Sequence, residues 1–158
     1  GPQTGRTPER QRLIGRSLRT VIEWYCLCEI SILADCDVIQ ADGGTRTASI
    51  SGSFIALQLC INHMLNKKII KKNPISEYVA AISWGIINGE PYLDLDFEED
   101  QNAEVDANFV ITESGKLVEL QMTSEKKLCE ERSFNAMLEL AKSGVSEIIQ
   151  MQNQILSE

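Results

Sequence analysis

The sequence lacks the patterns that mark several classes of protein. No apolar run in its 158 residues is long enough to span a bilayer, and no basic segment followed by an apolar one opens the chain, so neither a membrane span nor secretion is indicated. The single histidine, His63, lies late in an apolar stretch, and no spacing of cysteine and histidine is typical of a zinc site. These absences favour a cytoplasmic protein without a zinc centre.

The cysteines also lack the spacing of a disulfide framework. Their number, five, is odd, and apart from Cys26 and Cys28 they stand alone in apolar settings. Buried free thiols of this kind are common in proteins of reducing compartments. We therefore interpret all five as reduced core thiols of a cytosolic protein.

Positive charge is scarce in this chain. It carries 15 lysines and arginines against 23 aspartates and glutamates, a formal net charge of −8. That balance argues against a generally basic surface for nucleic acid, although it does not exclude an enzyme that holds phosphates through a few arginines and a metal. With 43% hydrophobic residues, the chain is expected to fold as a single domain over residues 1–158.

A strand, a glycine turn and a helix follow one another in the first half of the chain. Residues 29–40 are rich in aliphatic and β-branched side chains and predict a strand, and residues 42–44, Asp-Gly-Gly, break that pattern. From Thr45 to about Asn66 the residues are small or apolar and predict a buried helix. The first N–H groups of such a helix attract anions, and Arg46 adds a guanidinium suited to phosphate oxygens. The alternative is an ordinary strand-to-helix turn with an exposed arginine.

The preceding helix carries a ridge of arginines. Thr7 and Pro8 are typical of an N-cap and a first helical position. Arg12, Arg16 and Arg19 follow at spacings of four and three residues, which places them on one side of the helix. A basic ridge of this kind is typical of a solvated face.

The second half of the chain predicts a sheet closed by helices. A strand at residues 79–87 is followed by Asn88 and Gly89, a strong hairpin signal, and by a return strand at residues 92–97. Together with the first half, these elements predict an α/β fold, a mixed sheet with packed helices. The remaining predicted elements are strands at residues 109–112 and 116–121 and helices at residues 133–142 and 145–156, separated by Ser143 and Gly144.

An acidic stretch follows the predicted hairpin. Seven carboxylates fall between Asp94 and Asp106. Carboxylate oxygens are ligands that Mg²⁺ prefers, usually one or two together with waters and substrate phosphates. Metal binding and simple solvation both account for this stretch, and an arginine-rich phosphate site beside it favours the metal.

Several short motifs follow one another along the chain. They are Gly-Arg-Thr at residues 5–7, Gln-Arg-Leu-Ile-Gly-Arg-Ser-Leu-Arg at 11–19, Asp-Cys-Asp-Val-Ile-Gln-Ala-Asp-Gly-Gly-Thr-Arg-Thr at 35–47, Val-Ala-Ala-Ile-Ser at 79–83, Leu-Asp-Leu at 93–95, Glu-Asp at 99–100 and Asp106. Taken together, these motifs resemble the ribonuclease PH family of phosphorolytic 3′-exoribonucleases. The resemblance implies a ribonuclease PH-like fold that is N-terminally incomplete here, because family members have strands and an arginine-rich loop ahead of the first motif.

The resemblance implies a phosphate site and the reaction it serves. Carried over, the family's phosphate ligands are Arg6, Gly44, Thr45 and Arg46. Inorganic phosphate would be the co-substrate that attacks the last phosphodiester of an RNA 3′ end. The products would be a nucleoside diphosphate and a shortened RNA, and the reverse reaction would add nucleotides.

The same resemblance implies a catalytic pair of carboxylates. The family's metal-associated aspartates correspond to Asp100 and Asp106, which would place Mg²⁺ and assist proton transfer. The family's Gln-Gly-Thr-Ala-Glu-Gly motif is altered, because Met122 and Lys126 replace both glycines. Ala107 replaces a family methionine, a milder change.

Partners follow from the resemblance as well. It implies RNA, in particular the 3′ ends of precursor tRNA, and a homo-oligomer built as a hexameric ring of dimers, with no membrane. If the N-terminal portion is dispensable, Arg12, Arg16 and Arg19 become the RNA-binding candidates. One alternative is a non-catalytic ring subunit of the same fold. Another is an acidic binding module, which leaves the arginine-glycine turn unexplained.

Overall fold

An antiparallel four-stranded sheet with helices on both faces organises the chain, which confirms the predicted α/β class. The computed structural model describes residues 6–124 and 128–157, and of residues 6–10 the backbone alone. The strands lie side by side in the order β2-β1-β3-β4. The elements of the described part are α1 (Arg6–Thr20), a 3₁₀ turn (Trp24–Cys26), α2 (Thr45–Asn66), β1 (Val79–Ile87), β2 (Glu90–Leu93), α3 (Phe97–Asn102), β3 (Val105–Thr112), β4 (Leu117–Ser124) and α4 (Glu131–Ser157).

The long helix α2 has the predicted bounds and occupies one face of the sheet. Its residues Ile50, Phe54 and Ile61 are fully buried in a cluster with α1 and with one face of β1 and β3. By length and composition alone α2 is apolar enough to cross a membrane. The position of α2 between α1 and the sheet also explains its apolar composition, because a helix that is buried on most sides is apolar on most sides.

The opposite face of the sheet is covered by α4, one continuous helix. The sequence predicted two helices separated at Ser143 and Gly144, and that prediction is wrong. Gly144 is buried, and a side chain there would collide with Ile82 of β1. The glycine therefore brings the helix close to the sheet, and this close packing outweighs its poor intrinsic helix propensity.

The strand predicted for residues 29–40 does not form. These residues run without regular structure, and Leu33 and Ile39 are 96% and 99% exposed. Aliphatic composition measures the fit of a segment to a pleated surface, but a strand exists only where a neighbouring strand satisfies its backbone. Within the described part of the chain, no strand pairs with this segment.

The hairpin between β1 and β2 confirms the Asn-Gly signal. Asn88 and Gly89 have φ of 53° and 81°, the two positive values that its tight turn requires. The return strand ends at Leu93, earlier than predicted, because Asp94 has φ of 56° and turns the chain out of the sheet. Asp96 then caps α3, a short helix that the sequence analysis did not predict.

The other boundaries shift by a few residues. α1 begins at Arg6 in place of the predicted start after Thr7. β3 begins four residues before the predicted start, and β4 runs to Ser124, beyond the predicted end at Gln121. The longer strands matter because they bring Asp106 and Thr123 into paired positions of the sheet.

The turn between β3 and β4 is held by a carboxylate from before β1. Glu77 accepts a hydrogen bond from the backbone N–H of Ser114 (3.1 Å) and forms an ion pair with Lys116 (3.3 Å). Hydrogen bonding from Ser114 is the main cause that lowers the pKa of Glu77 to about 2. We expect its stabilising effect to be complete above pH ~4.5 and to be lost as the pH falls towards 2, because only the unfolded chain takes up the proton in that range.

Replacing Glu77 with glutamine should remove this part of the pH dependence. Urea unfolding of the parent and the Glu77→Gln variant between pH 2.5 and 7 measures the difference. The free energies of unfolding should converge at the acid end, diverge as the pH rises to about 4.5 and differ by a constant amount above it. Parallel curves across the whole range would show that Glu77 is not the group responsible.

Candidate active site

The N-terminus of α2 is open to an anion. Gly44, its N-cap, has φ of 65° and provides no side chain to cap the first N–H groups. The hydroxyls of Thr45 and Thr47 donate to the carbonyl oxygens of Asp42 (3.2 Å) and Gly44 (2.8 Å), so they satisfy acceptors of the turn. The N-cap makes no side-chain hydrogen bond, and the positive end of a 22-residue helix suits a phosphate.

The glycine turn before α2 is fastened to the start of α3. At Gly43 a side chain would overlap the backbone of Leu95 and Asp96, so glycine is required there for the close approach of two chain segments. Asp42 strengthens the junction, because its Oδ1 accepts a hydrogen bond from the N–H of Phe97 at 2.9 Å. The N-termini of α2 and α3 are therefore held together.

Strand β1 anchors this junction to the sheet. Ser83 accepts hydrogen bonds from two backbone groups, Asp94 N–H to its carbonyl (2.8 Å) and Leu95 N–H to its hydroxyl (3.2 Å). The side chain of Leu95 packs over Gly85, where a Cβ would collide with it. Leu95 thus places the segment leading into α3 on the α2 side of the sheet.

Asp106 lies on the same side of the sheet as α2. Val110 of β3 packs in the cluster beneath α2, whereas Phe109 and Ala107 pack against α4. Because side chains alternate along a strand, Asp106 and Asn108 share the face of Val110. Asp106 is partly buried there, opposite Gly85 on β1 and Thr123 on β4.

Two polar rows cross the sheet at this end. The first consists of Ser83, Asn108 and Gln121, and the second consists of Gly85, Asp106 and Thr123. Rows two residues apart along a strand are separated by about 7 Å. The α2 N-terminus stands over the first row, since the Ser83 hydroxyl is 3.5 Å from where a Cβ of Gly44 would lie. Asp106 is one row further out.

Arg46 reaches the far end of the first row. Its Nη1 donates to Oε1 of Gln121 at 3.3 Å, and the contact is partly buried. Arg46 therefore contacts the first row at its β4 end, and Gly44 lies near its β1 end. The structure brings Gly44, Thr45, Arg46 and Asp106 to one face of the sheet, as the predicted site requires.

The other predicted ligands are distributed around this face. Asp100 is exposed on α3, whose N-terminus is tied to the glycine turn. The side chain of Arg6 and the residue Lys126 lie outside the described residues. The assignment of Asp100, Asp106 and the phosphate ligands to particular roles stays a prediction.

The arginine ridge of α1 forms a cleft of about 360 Å³ at the helix surface, lined by Arg12, Arg16, Arg19 and Thr20. One member is engaged with the sheet, because Arg16 forms an ion pair with Glu119 of β4 at 3.2 Å. All three arginines are exposed. The ridge is therefore a basic surface that is accessible to an anionic polymer.

The sequence analysis did not include two residues that lie near the α2 N-terminus among the site residues. Asp94 places Oδ1 3.4 Å from where a Cβ of Gly44 would lie, and Gln121 is the partner of Arg46. Alternation along β4 places Gln121 and Glu119 on one face, which was a usable signal. The carboxylate of Asp94 repels an anion at this helix end unless positive charge offsets it.

The carboxylates suit an ion that keeps most of its own waters. Among the described residues, no group of three or more acidic, histidine or cysteine side chains could enclose a metal. Mg²⁺ needs only one or two carboxylates beside waters and phosphate oxygens. Binding of Mg²⁺ by Asp100 and Asp106 needs no closed metal site, and it stays a prediction.

Comparison with known proteins agrees with the resemblance found in the sequence. The model of the 3′ exoribonuclease family, domain 2, matches residues 77–144. Ribonuclease PH of Caulobacter vibrioides, in the strains NA1000 / CB15N and ATCC 19089 / CIP 103742 / CB 15, is 51% identical over 152 residues, which is 96% of this chain. The chain is therefore similar to ribonuclease PH over nearly its whole length. It spans 64% of the length of these two curated relatives.

Solved structures agree with this ribonuclease PH-like fold. A crystal structure of rice (Oryza sativa) Rrp46 superposes with a TM-score of 0.71 and 18% identity, over 100% of this chain and 69% of that one. An Archaeoglobus fulgidus exosome with RNA bound to its active site gives a TM-score of 0.65 and 14% identity, over 96% and 63% of the two chains. At such identities these structures support the fold alone.

Proposed function

We propose that this chain provides the active face of a phosphate-dependent 3′-to-5′ exoribonuclease that releases nucleoside diphosphates and, in reverse, adds nucleotides. The observation that carries the proposal is the meeting of an uncapped helix N-terminus, Arg46 and Asp106 on one face of the sheet. The family supports the same conclusion, since the curated relatives at 51% identity are ribonucleases PH. Precursor tRNA 3′ ends are the substrate we propose.

In the proposed reaction the chain's own groups orient two anions. Thr45 and Arg46 hold inorganic phosphate at the α2 N-terminus, where backbone N–H groups and the guanidinium share its charge. A phosphate oxygen attacks phosphorus of the terminal phosphodiester, and the bond to the 3′ oxygen breaks. That oxygen takes up the proton that the attacking hydrogen phosphate loses and becomes the free 3′-hydroxyl of the shortened RNA. In this proposal Asp106 assists the proton transfer.

We also propose that Asp100 and Asp106 hold Mg²⁺. When bound, this ion would offset the negative charge that develops on the transferring phosphoryl group. The need for positive charge is plain at this site, because Asp94 stands beside the phosphate position. Two carboxylates are sufficient for an ion that retains its waters.

RNA and further copies of the chain are the partners we propose. The exposed arginines of α1 give a basic strip in a chain of net charge −8. Apolar residues Leu33 and Ile39 are exposed, and a groove of about 710 Å³ opens between α1, α2 and residues 30–38. Such surfaces support association into a ring of dimers.

Sedimentation velocity at rising concentration tests this association. A chain that stays monomeric at all concentrations would contradict it.

A non-catalytic ring subunit is the less favoured function. Arg46, Asp100 and Asp106 are all present, and the glycine turn is packed so closely that only glycine fits at position 43. A subunit that serves only as a scaffold has no need for this arrangement. Phosphate-dependent shortening of RNA distinguishes the two functions.

Arg46→Ala tests the phosphate site directly. The variant loses charge-assisted hydrogen bonds worth about 1.5–3 kcal/mol, so the KM for phosphate should rise about 10- to 100-fold. Steady-state phosphorolysis of a tRNA with extra 3′ nucleotides, at varied phosphate, measures the change. Arg132→Ala, on α4 at the other face of the sheet, is the control and should match the parent. An unchanged phosphate KM in Arg46→Ala would remove the assignment.

A further inference from the structure

We infer that Asp94 sets the anion specificity of the proposed phosphate site, because its carboxylate accepts a hydrogen bond from the P–OH group of hydrogen phosphate and disfavours sulfate, which has no proton to donate. The inference rests on the proposed function, since it concerns the same site. Its starting point is the position of Asp94 Oδ1, which lies 3.4 Å from where a Cβ of Gly44, the N-cap of α2, would lie.

The backbone around Asp94 is fixed on both sides. Its N–H donates to the carbonyl oxygen of Ser83 at 2.8 Å, and the N–H of Leu95 donates to the Ser83 hydroxyl at 3.2 Å. The side chain of Leu95 is buried and anchors the segment. Asp94 has φ of 56°, a left-handed conformation that aspartate and asparagine adopt more readily than most residues. These contacts hold the backbone from which the carboxylate extends beside the start of α2.

Two buried hydroxyls complete the surroundings of Gly44. Thr47 Oγ1 and Ser83 Oγ lie 3.4 and 3.5 Å from the same Cβ position. Thr47 donates its proton to the carbonyl oxygen of Gly44 at 2.8 Å. An anion at this turn therefore meets donors from the start of the helix together with Asp94, a side chain that can only accept when it is ionised.

This combination suits an anion that carries a proton. Near neutral pH, inorganic phosphate keeps at least one P–OH group, whereas sulfate keeps none. Beside Asp94, hydrogen phosphate donates its proton in a charge-assisted hydrogen bond, which offsets the repulsion between the two negative groups. Sulfate meets the same repulsion without that hydrogen bond. A site that binds a hydroxyl by a hydrogen bond discriminates strongly against an analogue that lacks the hydroxyl.

Two substitutions remove the carboxylate and keep the backbone conformation. Asp94→Asn replaces the charge with an amide that can donate to sulfate, and Asp94→Gly removes the side chain. Asparagine and glycine both tolerate the positive φ. Glu90→Gln is the control, since it removes the same charge from an exposed position on β2. Isothermal titration calorimetry with inorganic phosphate and with sodium sulfate, at neutral pH and equal ionic strength, measures both affinities.

We expect the parent to bind phosphate at least about tenfold more tightly than sulfate. In both Asp94 variants this ratio of affinities should fall about tenfold, mainly because sulfate binds more tightly, and Glu90→Gln should keep the parent ratio. In the phosphorolysis assay, sulfate should become a stronger competitor of phosphate in Asp94→Asn. A purely structural role would lower the melting temperature and leave the ratio unchanged.

The outcomes distinguish the inference from the proposed function. An unchanged ratio in both Asp94 variants would overturn the inference, even if both anions bind more tightly, because Asp94 would then act only as a like charge. If RNA is shortened in that case, the proposed function stands without the inference. If the ratio falls as expected and RNA is never shortened, the inference stands and the proposed function fails. A parent chain that binds neither anion would overturn both.

Discussion

Asp106→Ala should lower the rate of phosphorolysis by about a thousandfold or more while RNA binding changes by less than about threefold. Offsetting the charge that develops on a transferring phosphoryl group is worth several kcal/mol, and each 1.36 kcal/mol is a factor of ten in rate. Asp106 is partly buried on the sheet face beneath α2, and in the proposed function its carboxylate acts in the transition state. The affinity for the RNA chain depends mainly on other contacts.

The comparison of rate with binding decides the role of Asp106. Single-turnover phosphorolysis with enzyme in excess measures the chemical step, and filter binding without phosphate measures affinity for RNA. Glu113→Ala is the control, because Glu113 is an exposed acid in the turn at the opposite end of β3. If Asp106→Ala turns over RNA at the parent rate, Asp106 has no part in catalysis.

Leu57→Asp should prevent the chain from folding. Leu57 is 5% exposed in the cluster that α2 forms with α1 and the sheet. An aspartate there loses the apolar contacts of leucine and has to be buried either charged or protonated, and in both cases its desolvation is unfavourable. We expect a loss of more than about 4 kcal/mol, a large part of the 5–15 kcal/mol by which domains are stable.

The helix provides its own control two residues later. Leu59 is 51% exposed, so Leu59→Asp has the same change of composition and charge at a position that remains in water. Circular dichroism during thermal unfolding should show a cooperative transition for Leu59→Asp and none for Leu57→Asp. Equal transitions in both variants would mean that α2 does not pack on the sheet as described.

Local sequence signals correctly predicted the elements that are determined by residues close together in the sequence. The bounds of α2 followed from an apolar stretch that begins after a glycine turn, and the hairpin followed from Asn88 and Gly89. These features succeed because turn geometry and helix formation are decided mainly within a few residues. The predicted break in α4 failed for a related reason, since the contact of Gly144 with Ile82 lies outside its own helix.

The predicted strand at residues 29–40 shows the limit of such signals. Its aliphatic composition is real, yet Ile39 is almost fully exposed. Backbone pairing requires a second strand, and the composition of a segment does not say where that strand comes from. The short helix α3 was not predicted. Asp96 and Glu99, which form its capping box, are two of seven acidic residues in this stretch, so their capping pattern did not stand out.

The sequence by itself determined the resemblance to ribonuclease PH, the residue types of the proposed chemistry and the bounds of the helix whose N-terminus faces the proposed anion site. Only the tertiary structure decided which of those residues meet. The register of β1, β3 and β4 places Ser83, Asn108 and Gln121 in one row and Asp106 in the next. Arg46 reaches Gln121 across 75 positions because α2 packs on that face, and contacts of this range are set by packing of whole elements, which no local pattern records.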